Sequence, residues 1–284
     1  MMLMTSVEEM VKSVTSVATL PSIYFQLTKV AKQPYSTAKD IGKVVSNDSG
    51  LTARLLRLIN SAYFGLPRKI ETISDAIALI GTAQLMDLAL ATSVINMFKD
   101  VPQDIVDMDS FWRHSITSGL CARMLAMQMR EQNVERFFIA GLLHDIGSLL
   151  IYTKNADQAR QVLESCKKTG GLLHKAEQET MGFDHAKVGY TLLKQWNLPS
   201  NLLEAVRRHH QPKLAIHFPI LTNIVHVADI IICALDIGSN GENLVAPLEP
   251  DAWKSLRLSP AILPALIDDV DQQYIDIVGL YIKN

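Results

Sequence analysis

Six of the chain's eight histidines, His114, His144, His185, His209, His210 and His226, fall within or at the ends of apolar helical patterns in its second part. A buried imidazole must find a hydrogen-bond partner or a metal. The sharpest local feature is Gly141-Leu142-Leu143-His144-Asp145-Ile146-Gly147, where a neighbouring His and Asp end an apolar helix just before a glycine. Unwinding of the helix near Gly147 would turn both side chains into one pocket. Imidazole nitrogen with carboxylate oxygen suits zinc, iron, manganese and similar divalent ions, and a carboxylate can bridge two of them; Asp145 is the natural bridging candidate. A single His-Asp pair also occurs as a helix-end salt bridge, so the other residues carry weight. Asp184-His185 starts a helix with Asp184 as its N-cap, and His209-His210 ends another just before Gln211-Pro212. His226-Val227-Ala228-Asp229 sets an aspartate inside the apolar face of Ile224, Val225, Ile231 and Ile232, where it needs a partner.

The elements that must hold these residues read as helices. Apolar residues recur at three- and four-residue spacing almost throughout, and period-two alternation bounded by hairpin turns is absent, so the expected fold is all-α. Leu20-Pro21 opens a helix, Ser36 caps a second over Lys39 to Val45, and Asn47-Asp48-Ser49 precedes a third with Leu51, Leu55, Leu58 and Ile59 on one stripe. After the loop Gly65-Leu66-Pro67, Ser74 begins a short helix ended by Gly81, and Thr82 caps an apolar run from Leu85 to Phe98. Pro102 and the acidic residues Asp100, Asp104, Asp107 and Asp109 mark a boundary, which gives an N-terminal helical lobe over 1–105 and a second lobe over 106–284. Helices are expected there near 110–131, 135–152, 156–169, 174–181, 185–196, 200–210 and 217–236, with Ser259-Pro260 opening a last one toward Tyr281. Gly238 to Gly241 reads as a flexible surface loop.

With 48% hydrophobic and 20% charged residues, the chain can bury a large core. A formal charge of -2 lacks the basic excess that neutralises phosphate, so nucleic acid is not an expected partner. The segment Ser36 to Ser61 can be read as a helix-turn-helix, but Lys43, Arg54 and Arg57 make no dense cationic stripe. Cys121, Cys166 and Cys233 are odd in number and far apart, and read as buried free thiols of a reducing compartment. Neither a signal peptide nor an apolar run of about 20 residues is visible, which leads to the expectation of a soluble cytoplasmic protein without membrane contact.

With His114 as first histidine, His144-Asp145 as doublet and Asp229 as closing aspartate, the chain resembles the HD superfamily of metal-dependent phosphohydrolases. It resembles more closely the HDOD family, the HD-related output domain of bacterial signalling proteins. The carriers are Leu58-Ile59-Asn60-Ser61-Ala62-Tyr63-Phe64-Gly65, Ile73-Ser74-Asp75-Ala76-Ile77, Phe111-Trp112-Arg113-His114-Ser115, the Gly141 to Gly147 run, His185-Ala186-Lys187-Val188-Gly189, Trp196-Asn197-Leu198-Pro199 and His209-His210. The resemblance implies a helical N-terminal lobe packed on a degenerate HD lobe that works as a regulatory or output module. On that pattern His114, His144, Asp145 and Asp229 would bind one divalent ion, and Asp145, His185 and His209 or His210 a second, with iron, manganese, zinc and magnesium all open.

Active HD phosphohydrolases often carry a lysine three residues after the doublet, and the branch that hydrolyses cyclic di-GMP carries a glycine-tyrosine-proline signature. Here that position is Ser148, and no such signature follows His209-His210. Two readings result. One is a regulatory protein that acts through a signalling protein partner or a small phosphorylated ligand; the other is a metal-dependent phosphohydrolase in which Asp145 bridges the ions and helps to activate a bound water. The bland alternative for His114, His144, Asp145 and Asp229 is a hydrogen-bonded cluster without metal. His226 is expected to be a satisfied core histidine, and His174 and His217 surface or structural. The loop Tyr63 to Lys69 fits a partner surface or lobe-to-lobe packing equally well.

Overall fold

The computed structural model describes residues 6–13, 20–61, 63–95, 97–98 and 101–282; Ala62 and Asp100, named above, lie outside them. Every regular element among the described residues is a helix. Over residues 1–105 lie α1 (Val7–Ser13), α2 (Ser22–Ala31), α3 (Ala38–Ser46), α4 (Ser49–Ile59), α5 (Ile73–Ile80) and α6 (Thr82–Ile95). The cap residues set their starts, and two differ from expectation. Thr37, not Ser36, caps α3, because its hydroxyl accepts from Asp40 N while the Asp40 carboxylate accepts from Thr37 N. α5 begins at Ile73, one residue before Ser74, with the Thr72 hydroxyl accepting from Asp75 N. Asp48 caps α4, and Leu51, Leu55, Leu58 and Ile59 are buried as the stripe requires.

Gly81, with φ of 86°, ends α5 and turns the chain by 119° into α6. No single helix among the described residues is long and apolar enough to cross a membrane, and α6 spends its apolar surface inside the protein.

The second lobe is built on α7 (Met108–Gln128), whose residues are buried on nearly all sides. It packs against α8 (Val134–Leu143), α14 (Pro219–Ala234) and α16 (Leu263–Ile282). Between them run α9 (Ile146–Lys154), α10 (Ala156–Thr169), α11 (Leu173–Met181), α12 (His185–Gln195), α13 (Ser200–Arg208) and, after α14, α15 (Pro250–Leu256). The run expected as one helix over 135–152 is two, broken at Asp145 rather than near Gly147. Pro260 to Ile262 form a short 3-10 turn capped by Ser259, and α16 follows it. At the chain's start, α1 packs on α12 and α9.

Two glycines of the signature run fix where the break sits. A Cβ on Gly141 would lie 2.7 Å from Gly119 Cα and 2.8 Å from Ser118 O, so α8 can cross α7 this closely only with glycine there. A Cβ on Gly147 would collide with the His185 carbonyl, and α9 thereby touches the start of α12. His144 and Asp145 lie between these two crossings. The start of the Tyr63 loop packs inward: Tyr63 is buried, its hydroxyl donates to Glu135 at 2.5 Å, and its ring stands edge-on to Phe138, while Pro67, Arg68 and Lys69 are exposed.

Candidate metal centre

Four helices and one helix break deliver polar side chains to one buried point. His114 comes from α7, His144 and Asp145 from the α8–α9 break, His185 from the first turn of α12, His209 and His210 from the end of α13, and Asp229 from α14. Asp184 caps α12 through Lys187 N, which presents His185 at the helix start. His114, His144, Asp145, His185 and His209 are at most 1% exposed, a level at which carboxylate and imidazole groups need partners.

Asp145 divides the group in two. Its Oδ2 lies 3.0 Å from His144 Nε2 and 3.8 Å from His114 Nε2, and Asp229 Oδ1 closes that side at 3.4 and 3.2 Å from the same nitrogens. Its Oδ1 lies 3.2 Å from His185 Nε2 and 3.5 Å from His209 Nε2. His210 Nε2 adjoins His185 Nε2 at 2.7 Å. All seven candidate residues therefore converge, with one oxygen of Asp145 on each side.

The imidazoles are oriented with their free nitrogens inward. His144 Nδ1 lies 2.6 Å from Gly141 O and His209 Nδ1 2.8 Å from Val206 O. A carbonyl only accepts, so Nδ1 carries the hydrogen and Nε2 is the ring atom turned to the centre. His185 Nδ1 is 2.6 Å from Glu177 Oε2, which also accepts from His185 N. His114 Nε2, His144 Nε2, His209 Nε2 and Asp145 Oδ1 are buried and have no hydrogen-bond partner. Several donor atoms facing one space at 3.0–3.5 Å have the spacing of ligands around one ion: metal bonds of 2.0–2.2 Å put neighbouring nitrogen and oxygen ligands about 3.0–3.4 Å apart. The residues present therefore fit a divalent metal, one ion or two.

The charge balance agrees. Burial resists a charge on His144, but Asp145, backed by Asp229, overrides it and pushes the imidazole up to about 10. Burial likewise resists ionisation of Asp145, and His144, His185 and His209 still hold its carboxyl well below the usual range. The centre attracts positive charge, which protons supply when no ion is bound and a cation supplies when one is. On the outer side burial and the neighbouring His209 and His185 hold His210 well below its ordinary value.

Four neighbours were not expected from the sequence. Glu177 is buried and orients His185; its signal was legible, since Leu173, Glu177 and Met181 lie at four-residue spacing on the buried face of α11. His174, expected at the surface or in a structural role, is largely buried and stacks on His210 with ring centroids 4.1 Å apart. Asn240 donates to Asp145 Oδ2 through a short hydrogen bond, while Tyr152 donates to the Asn240 carbonyl at 2.6 Å. The Gly238–Gly241 segment is thus no flexible surface loop: Ser239 N donates to Ser110 O, and a Cβ on Gly238 would collide with the same carbonyl. The fourth is Cys233, which is half-buried rather than buried, with Cys121 and Cys166 fully enclosed. His226 is satisfied as expected, with Nδ1 donating to His209 O and Nε2 accepting from Glu249 N.

Two cavities reach the centre. One of about 240 Å³ is lined by His114, Cys233, Asn240 and Glu242. Another of about 430 Å³ opens at His210 and His174 beside Lys175 and Arg207. The larger space of about 730 Å³ between α2, α6 and the α12–α13 turn touches none of the seven residues.

The HDOD domain family model matches residues 17–212. The chain belongs to the HDOD family. The match ends before Asp229, so the placement of that residue rests on the fold. A crystal structure of an HDOD domain protein of unknown function from Geobacter sulfurreducens superposes with a TM-score of 0.76 at 22% identity, covering 96% of this chain and 95% of that one. A protein from Shewanella amazonensis SB2B, named as a candidate phosphohydrolase, superposes with a TM-score of 0.72 at 24% identity over 95% and 96% of the two chains. Both likenesses are of fold. A curated relative, an uncharacterized protein of Treponema pallidum (strain Nichols), is 25% identical over 219 residues, and this HDOD chain matches only 42% of its length.

Proposed function

We propose that this HDOD protein is a cytoplasmic regulatory protein whose HD-like lobe binds one or two divalent cations and acts through a signalling protein or a small phosphorylated ligand. The observation that carries the reading is Asp145, buried with one oxygen toward each of two histidine sets, in which the Nε2 atoms of His114, His144 and His209 have no hydrogen-bond partner. His114, His144, Asp145 and Asp229 would hold one ion, and Asp145, His185, His209 and His210 the other. Free thiols and the lack of a basic surplus support a reducing compartment and a partner other than nucleic acid. Elemental analysis of the purified protein tests it: the wild type retains divalent metal and His144→Ala loses most of it, whereas negligible metal in both leaves only a histidine cluster.

A second reading, hydrolysis of a nucleotide or other phosphoester, draws on the bridged arrangement and on the His210 cavity, where Lys175 and Arg207 offer cations to a phosphate. A bound metal would there lower the pKa of water and polarise the phosphoryl group. The chain's own part would be to orient: Glu177 fixes His185, Asn240 fixes Asp145, and burial excludes bulk water. Ser148, fully buried where active relatives often place lysine, removes one source of positive charge for phosphate, an absence that can cost on the order of a hundredfold in rate. Turnover of a phosphoester by metal-loaded protein, abolished in Asp145→Ala, would support this reading over the first.

A further inference from the structure

The geometry points to Cys233 as a thiolate ligand of the ion on the His114 side, an inference that rests on the metal-centre reading and adds a soft donor to it. Cys233 lies one helical turn beyond Asp229 on α14, so the two side chains share a face. Its Sγ is 3.5 Å from Asp229 Oδ1, and His114 Nε2 is 3.2 Å from the same oxygen. One donor atom from each of His114, Asp229 and Cys233 lies within 4.8 Å of the other two.

These separations match neighbouring ligands of one ion. Zinc–sulfur bonds near 2.3 Å and zinc–oxygen bonds near 2.0–2.2 Å put S and O ligands about 3.5–3.6 Å apart in a tetrahedral site. The thiol is not an isolated feature: His114 Nε2, 1% exposed and without a hydrogen-bond partner, faces the same point. The cavity of about 240 Å³ is lined by both residues, and so gives an ion a route to them.

A thiolate changes which ion the site prefers. Thiolate favours zinc and iron over magnesium and calcium, which take hard oxygen ligands. It also adds a fifth protein ligand to His114, His144, Asp145 and Asp229, so that the His114 side becomes a firmly held, closed site. On binding, a sulfur–metal bond forms and the thiol hydrogen leaves to solvent as a proton.

Cobalt(II) loaded into the purified full chain reports on this directly, because a cobalt–thiolate bond gives an intense near-ultraviolet charge-transfer band. The band is expected in wild type, in Cys121→Ser and in Cys166→Ser, and is expected to be lost in Cys233→Ser. Cobalt content is measured on the same samples. Retained cobalt without the band, or a band that survives in Cys233→Ser, overturns the assignment of Cys233 and leaves the metal centre standing. A wild type that retains no cobalt and no zinc removes the metal centre and this ligand with it. A second measurement needs no variant: zinc should slow alkylation of Cys233 by iodoacetamide at least about tenfold, the scale on which a bound ligand excludes reagent, and an equal rate with and without retained zinc also overturns the assignment.

Discussion

Two buried acids in this protein have opposite surroundings. Glu135, on α8, is fully buried between the lobes, with Oε1 accepting from Arg123 Nε at 2.8 Å and Oε2 from the Tyr63 hydroxyl. The Arg123 guanidinium also lies over the Tyr63 ring, 4.0 Å from its centroid. Charge is matched by charge, and both oxygens are used. Asp145 is buried just as deeply, yet Oδ1 accepts no hydrogen bond, and around the carboxylate stand the Asn240 amide and imidazoles, whose charge can be lost. The first cluster is complete as protein; the second is complete only with added positive charge. Equal burial therefore marks a structural network in one place and a binding site in the other.

The largest effects come from removing each acid. Glu135→Ala leaves Arg123 buried without its counterion and should lower the unfolding free energy by about 3–5 kcal/mol in urea titrations, with metal content unchanged. Asp145→Ala should abolish metal retention and cost the metal-free protein less than Glu135→Ala does, because the imidazoles left behind can shed their protons whereas Arg123 keeps its charge. If the two variants lose stability alike without metal, the contrast is wrong.

Gly147→Ala tests the scaffold between them. Its methyl group cannot fit against the His185 carbonyl, so α9 and α12 must separate. A loss of about 3 kcal/mol, the upper end for overpacking, is expected in thermal or urea unfolding, together with weaker metal binding. Glu177→Gln keeps the fold but loosens the hold on His185, and should weaken zinc affinity about 10–100-fold in competition with a chelator. An unchanged affinity would show that the His185 side does not take part.

The effect that is smallest per step, a slope with pH, sharpens the comparison further. In the metal-free protein His144 is pushed from 6.5 up to about 10, so its contribution to stability is whole below pH 6.5 and lost as pH rises through 10. Unfolding free energy should fall across that window by less than about 1.4 kcal/mol per pH unit for this proton. In zinc-loaded protein the ion replaces the proton, and raising the pH through the lower part of the window should strengthen binding and raise stability. Parallel slopes in the two forms would mean that the ion does not bind at His144.

Local pattern carried much of this into the sequence. The apolar stripe of α4, the Asp184 cap and the His144-Asp145 doublet at the end of an apolar run all depend on near neighbours, and each is where the spacing predicts it. Asn240 could not be found in that way. It meets Asp145 across 95 residues, and its glycine neighbours, read as flexible, have positive φ because they pack tightly over α7 and Tyr152. Tyr63 and Glu135, 72 residues apart, pair only because the lobes dock. The break at Asp145 depends on a contact between Gly147 and α12 that no helical period records.

A single carboxylate with one oxygen in each histidine set makes the two halves of the centre one thermodynamic unit. An ion in either half would draw electron density from Asp145 and fix its rotamer, which would alter what the other half encounters. By linkage that influence is equal in both directions. A ligand arriving at the His210 cavity would thus be felt at His114, on the far side of the carboxylate, without any helix having to move.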